Sequence, residues 1–507
     1  MLERGPGEKT KNAILVGSVF VCGMAVMVFE LAGSRVMVPY FGGSIYVWTA
    51  IIGVIMGSLS LGYWLGGRLA DHDPRPEKYS RIILASGAAI FWTLLVKNNA
   101  LGFFQKLGLS LEWNALLAAV FLFAPASVLL GIVSPYAVRL KLQQPEKTAS
   151  TVGNLYAAST VGSIFGTFAA GYFLIPFLGT DNILLVLFVV LVITSFFFSK
   201  KFFALTVLLL VFLTGSFLLI NEAKGLVDRS AGFVSLETRY NSIKIFPDTY
   251  KEADKDTKLP ILTLSFDFSS RQSSMFMTSD DLVWDYSKFY RLARHFNQNI
   301  KKTLILGGGA YSYPKDFLRQ YPAAAIDVVE IDPGVTAAAK RYFRLPDDPR
   351  LVTKNEDARV FLNTTKNKYD VIYDDAFSSA LSIPFQLATS EAVRRQYDAL
   401  NDNGVVIANV IGSIDGPRGR FFRAEYATFK SVFPQVYVFP VGFPGDGSRR
   451  QNIMLVALKN NRPAGMSDQD PELNGYLQHE WKAPIAADIP VLTDDFAPVE
   501  YYAKTTI

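Results

Sequence analysis

Cysteine occurs once and histidine three times in 507 residues, and both scarcities narrow the chemistry. The single thiol, Cys22, lies inside an apolar run, so neither an intrachain disulfide framework nor a cysteine metal site can form. His72, His295 and His479 are far apart and lack ligand spacing, which argues against any histidine-built metal centre. Charged residues make up 19% of the chain and sum to +5, with no Lys/Arg block dense enough for nucleic acid. No Walker-type lysine–serine pair follows the glycine turn described below, so a phosphate cradle is not expected.

What the chain has in excess is apolar surface. Half of its residues are hydrophobic, 13% are aromatic and the mean hydropathy is +0.23, with the excess confined to residues 13–220. Residues 230–507 have the mixed composition of a soluble domain. The expected division is therefore a multispan transmembrane domain over 1–222, a small β-rich part over 223–300 and a Rossmann-like nucleoside-binding domain over 301–507. A span takes about 20 mostly apolar residues. Seven segments qualify, near 13–38, 45–66, 81–97, 114–138, 153–178, 182–199 and 202–220. The first lacks a small-residue cleavage site and reads as a retained helix. Gly53/Gly57, Gly62/Gly66 and Gly162/Gly166 have the spacing of close helix packing in lipid. Glu30 and Arg35 near the end of the first span read either as a transport or substrate site or as an interfacial pair. Pro125 and Pro135 are expected to kink the fourth span.

Loop charge orients the chain. Twelve Lys/Arg, among them Arg4, Arg75, Lys78, Arg139 and Lys200, flank one side; four, Lys97, Lys106, Lys224 and Arg229, flank the other. The N-terminus is thus expected in the cytoplasm of a multi-pass cell-membrane protein. Seven crossings then put the C-terminal domain outside, away from the cytoplasmic nucleotide pool, unless an extra piece around 98–112 restores an even count. The side of that domain stays open at this point.

From Lys301 short apolar strands alternate with amphipathic helices, the pattern of a mostly parallel sheet with ligands at the carboxyl ends of its strands. TLILGGGAYSYP reads as a strand, the glycine turn Gly307–Gly308–Gly309 and a helix opening at Pro314. Glu330 ends the second strand, where a carboxylate can accept both ribose hydroxyl protons, and Asp332 lies beside it. Asp357 and Ala358 follow the third strand, where an adenine edge would be read. Asp374 and Asp375 close the fourth.

The stretch LILGGGAYSYP…VVEIDP…NEDARVFL…YDVIYDDAF resembles the spermidine synthase family of polyamine aminopropyltransferases, in particular its bacterial members fused to a multispan membrane domain. The closing VLTDDFAPVEYY is also similar to those fused members. Residues 230–300 resemble the family's small N-terminal β-domain. The resemblance implies an S-adenosyl-type donor (decarboxylated or ordinary S-adenosylmethionine) as co-substrate, no tightly bound cofactor, and a small amine or polyamine as acceptor. Gly307, Gly308, Gly309, Glu330, Asp332, Asp357, Ala358 and Gln272 would hold the nucleoside, and Asp375 would be the general base on the attacking amine. Asp374 is its rival.

Departures accompany the match. The acid that follows the glycines in the family is Ala310 here, and the acid three residues past the base is Ser378. A Tyr-His-Glu stretch corresponds to Tyr286-Ser287-Lys288, and a β-domain glutamine to Asn241. Asn241, Tyr286 and Ser378 are therefore weaker substrate-side candidates. A methyltransferase on the same cradle, and a polyamine or nucleoside sensor or transporter without turnover, are the other readings. The partners expected are an amine, the lipid bilayer, no nucleic acid, and a homo-oligomer as an option.

Overall fold

The computed structural model describes residues 8–142, 148–199, 230–251, 258–266, 271–376 and 384–503, and between 211 and 228 residues 211, 214–217, 219, 222–223 and 225–228. The chain separates into two compact units, Met1–Ala231 and Gly232–Ile507.

The first unit is helical: α1 (Glu8–Phe41), α2 (Ile45–His72), α3 (Pro76–Gln105), α4 (Leu111–Lys141), α5 (Thr148–Leu178) and the shorter apolar α6 (Thr180–Phe196). Five of these, α1 to α5, are long and apolar enough to cross a membrane. The sixth expected span forms the 17-residue α6. The seventh, 202–220, falls largely outside the described residues. The third runs further than its apolar window, because Lys97 does not end the helix: its ammonium lies 2.7 Å from the Asp181 carboxylate at the start of α6. Pairing removes most of the cost of that charge. Residues 98–105 accordingly continue α3 and supply no separate crossing.

Two of the three glycine pairs sit where helices touch. A Cβ on Gly62 or Gly66 would strike the α4 backbone at Val128 and Ile132, and one on Gly162 or Gly166 would strike α1 at Phe20 and Met24. Gly53 and Gly57 face open space. Pro125 and Pro135 lie inside a continuous α4. In α5 a π turn at Ala170–Leu174 accommodates Pro176, whose ring cannot continue the regular ladder.

The second unit opens with a four-stranded antiparallel sheet, β1 (Val234–Glu237), β2 (Ser242–Lys251), β3 (Lys258–Ser265) and β4 (Ser273–Phe276). Short helices α7 (Asp285–Phe289) and α8 (Ala293–Phe296) lead into an α/β domain. Its strands are β5 (Lys302–Leu306), β6 (Ala325–Val329), β7 (Leu351–Lys354), β8 (Tyr369–Asp374), β9 (Leu400–Gly412), β10 (Gln435–Pro440) and β11 (Gln451–Leu458). The helices between them are α9 (Ser312–Gln320), α10 (Pro333–Tyr342), α11 (Ala358–Thr364), α12 (Ser390–Ala399) and α13 (Arg420–Val432).

The sheet order is β10-β11-β9-β8-β5-β6-β7, parallel from β9 to β7, with β11 antiparallel to both its neighbours. The sheet is mostly parallel, as expected, and β11 makes it mixed because the β10–β11 connection is a hairpin and not a crossover helix. Buried on both faces, β8 and β9 supply continuous apolar runs such as Val405–Ala408. From β5 the chain winds outward to β6 and β7 and then returns to β8 on the other side. This reversal between β5 and β8 opens a crevice at their carboxyl ends, where ligands bind in such sheets.

Candidate active site

The β5 end is shaped first by what its glycines make room for. Gly307 has φ +92°, and a Cβ there would collide with the Asp375 carbonyl, so the turn after β5 and the end of β8 meet main chain to main chain. Gly308 leaves space for the ring of Tyr311, itself left-handed at φ 56°, whose hydroxyl bonds Thr336 at 2.9 Å. Only Gly309 faces a freer volume, bordered by Ser273 of β4. Two of the three glycines thus serve the protein's own packing and not a direct approach to a ligand. Gln272 precedes β4, and its main-chain N–H donates to Leu264.

Glu330 follows β6 and is almost fully buried. One carboxylate oxygen accepts the amides of Gly308 (2.9 Å) and Gly309 (3.4 Å), and the other accepts that of Asp332 (3.0 Å). Burial raises its pKa, and the three amides oppose the rise. Asp332 caps α10 through Gly334 N–H, while its second oxygen accepts the Thr238 hydroxyl (2.5 Å) and the Asn241 amide (2.9 Å). Asn241 is thereby placed with Asp332 on the Glu330 side of the crevice. Asp357 caps α11, accepting from Arg359 and Val360 N–H, with Ala358 buried behind it.

At the β8 end Asp375 is half-buried. Burial pushes its carboxyl from 3.8 up to about 7. Asn409, Tyr290 and Tyr286 pull it down in that order, while neighbouring Asp374 raises it. The Asn409 amide donates at 2.9 Å and is itself oriented by Asn452 at 2.9 Å. Tyr290, Tyr313 and Tyr373 form a buried aromatic group with centroids 4.7–5.2 Å apart, and Tyr286 packs edge-on at 6.2 Å. The Tyr290 hydroxyl lies beside Asp375 without a bond of good geometry, an unsatisfied donor in the site. Asp374 points the other way along the strand. It accepts from Gln396 at 2.5 Å, and burial lifts it to about 6. It lines a cavity with Asn409, Leu387, Ala388 and Glu425, and burial holds the Glu425 carboxyl well above the usual range, with Asp374 adding to the rise.

The family model for the spermine/spermidine synthase domain matches residues 287–455, which hold the glycine turn, Glu330, Asp357, Asp375 and Glu425. A polyamine aminopropyltransferase of Vibrio vulnificus is 33% identical over 221 residues, covering 40% of this chain and 70% of that protein. The chain belongs to the polyamine aminopropyltransferase family. A probable polyamine aminopropyl transferase of Bifidobacterium longum is 30% identical over 226 residues, 40% of this chain and about half (49%) of that protein. Among solved structures, a probable spermidine synthase from Corynebacterium glutamicum aligns with 22% identity and a TM-score of 0.40 over 48% of this chain and 86% of that one.

As a spermidine-synthase-type transferase, the chain carries its candidate site residues at two strand ends. Glu330, Asp332, Asp357, Gln272 and Asn241 gather around the β5–β7 end, while Asp375 and Tyr286 meet at the β8 end. Ser378 lies outside the described residues. Ala310 is fully buried in an apolar cluster with Ile243, Met275 and Val335, so its position carries no charge toward the crevice. Tyr290, Asn409, Gln396 and Glu425 escaped the sequence reading. Only Tyr290 had a local signal, being four residues past Tyr286 and so on the same helical face. Among the described residues no group of three acids, histidines or cysteines could hold a metal ion.

Proposed function

We propose that the chain is a membrane-anchored aminopropyltransferase that moves an aminopropyl group from a decarboxylated S-adenosylmethionine-type donor to an amine. The carrying observation is Asp375: a half-buried carboxylate at the switch point, next to the glycine turn, with its pKa pushed up to about 7. A base tuned near working pH is the efficient one. Asp375 takes a proton from the acceptor ammonium. The freed nitrogen lone pair forms a bond to the aminopropyl carbon, and the carbon–sulfur bond breaks with its electron pair leaving on sulfur as a neutral thioether. Asn409 and Tyr286 hold the carboxylate toward that nitrogen. Glu330, Asp357, Ala358 and the Gly309 side of the turn hold the nucleoside, with Asp332 and Asn241 fixing the β-domain against it.

One observation favours a second reading. Buried, apolar Ala310 offers nothing to an aminopropyl ammonium, which suits methyl transfer from ordinary S-adenosylmethionine on the same cradle. Supplying each donor with a diamine and identifying the nucleoside product by mass spectrometry separates the two. Methylthioadenosine and a longer polyamine are expected; S-adenosylhomocysteine would move the assignment to methyl transfer. Asp375→Asn should lower turnover by about 10²–10⁴-fold, the usual worth of a positioned base. Undiminished turnover would remove Asp375 from the mechanism.

The anchor reading rests on α1 to α5 and on the outward apolar residues of α5, such as Phe165, Phe168, Phe173 and Phe177, which suit lipid contact. Arg68 stacked 3.9 Å over Trp64 suits a membrane–water boundary. Loop charge places the N-terminus in the cytoplasm. A reporter inserted near residue 75 should read cytoplasmic, and an external signal there overturns this orientation. Six crossings would return the transferase unit to the cytoplasm; seven would place it outside.

A further inference from the structure

The closing VLTDDFAPVEYY motif takes no part in the chemistry above, yet its polar atoms are engaged close to the crevice. Asp494 accepts the Thr389 hydroxyl at 2.7 Å and the Arg359 guanidinium through both oxygens, at 3.1 and 2.6 Å. Arg359 also donates to the Gln386 carbonyl (2.8 Å) and to Thr389 (3.0 Å). The Asp494 N–H donates to Glu391, the Leu492 carbonyl accepts from Ser390 N–H, and the Leu492 N–H donates to Thr428 on α13. Leu492 is fully buried and shares a core with Ala358, Leu387 and Ala388.

The residues held in this way join the Asp357–Ala358 turn to the Leu387–Ala388 segment, which shares a core with Ala358. Arg359 stands two positions past Asp357, and its own N–H is part of the Asp357 cap at 2.8 Å. Leu387 and Ala388 line the cavity beside Asp374. A bidentate guanidinium–carboxylate pair fixes geometry as well as adding attraction. This pair ties the start of α11 to the 386–389 segment through a part of the chain more than a hundred residues later.

We propose that Asp494 is a positioning residue for nucleoside binding: through Arg359 and Thr389 it holds the Asp357–Ala358 turn and the Leu387–Ala388 wall at a fixed separation. The proposal rests on the nucleoside reading above. Because Asp494 makes no contact with Asp375, its loss acts on nucleoside affinity and leaves the chemical step alone.

The test is calorimetric titration of methylthioadenosine into the full chain, as wild type, Asp494→Asn, Asp494→Glu and Arg359→Lys, together with donor KM and kcat. Asp494→Asn should weaken binding and raise the donor KM by about tenfold, in the range of indirect coupling between sites, with kcat unchanged. Arg359→Lys keeps the charge but loses the fork, and should follow it; Asp494→Glu should recover much of the affinity. Unchanged affinity in both Asp494→Asn and Arg359→Lys, with only thermal stability lowered, overturns the positioning role. A fall in kcat at unchanged KM overturns it as well. If the wild type itself fails to bind methylthioadenosine, the nucleoside reading falls first and the clamp's role with it.

Discussion

Two sets of carboxylates border the same crevice and are kept in different ways. Glu330, Asp332 and Asp357, at the β6 and β7 ends, all accept main-chain amides, so each is satisfied by the local fold of a strand–turn–helix unit. Asp375 and Glu425, at the β8 end and on α13, are buried among side chains that arrive from elsewhere in the sequence. Their carboxyls are pushed upward because desolvation exceeds what those side chains return. The first set is built like scaffold that a ligand can also use. The second stores unfavourable electrostatics at one place, which is the usual mark of groups that move protons.

The comparison predicts stability changes of opposite sign. Glu330→Ala strands three amide donors in a buried turn, and each unsatisfied donor costs about 1–3 kcal/mol. The sheet should lose several kcal/mol, and nucleoside affinity with it. Asp375→Asn should do the reverse above neutral pH. The folded carboxyl titrates near 7 and the unfolded one near 3.8, so the native state keeps its proton longer and stability falls as pH rises through that window. The amide never ionises. At pH 8 it should therefore stabilise the unit by up to roughly 4 kcal/mol, given about 1.4 kcal/mol per pKa unit. At pH 4 the gain should vanish. Hydrogen exchange of the β5 and β8 amides at both pH values measures this. Equal protection of wild type and Asp375→Asn at pH 8 would mean that Asp375 is solvated, and the contrast between the two sets would be lost.

The same contrast explains what could be read from the sequence. Each residue of the satisfied set lies within a few positions of the strand that presents it, so strand period, glycine turn and following acid identify it locally. Asp375 is legible for the same reason. Its environment is not: Asn409 comes from β9 and Tyr286 and Tyr290 from α7 and the residue after it, while Gln396 of α12 and Glu425 of α13 reach Asp374, and each approach depends on sheet order and helix packing. Asp332 shows the limit in the other direction. It stands beside Glu330, yet one of its oxygens joins Thr238 and Asn241 across to the β-domain. In the helical unit hydropathy located the helices but not their ends, since the Lys97–Asp181 pair lets α3 pass a charge that a window average treats as a stop. Gly53 and Gly57 share the spacing of the packing pairs but face outward, because spacing alone cannot say which face a neighbour covers.

The smallest expected effect sharpens the comparison within the buried set itself. Asp374 raises the Asp375 carboxyl through its charge, though less than burial does. Asp374→Asn removes that charge, so Asp375 should ionise more readily and the acid limb of the kcat–pH profile should move to lower pH. The displacement should be under about one unit, or roughly 1.4 kcal/mol. Glu425 faces the same cavity, and burial, with Asp374 adding to the rise, holds its carboxyl well above the usual range. An acid raised in this way loses its proton late and an amide of nearly equal size never ionises, so Glu425→Gln should leave the limb in place. The pair of profiles tests the assignment of charge directly. A downward shift in Glu425→Gln as large as that in Asp374→Asn would show Glu425 ionised. The proton would then be shared along the three carboxyls, and the titration near 7 would belong to the set and not to Asp375 alone.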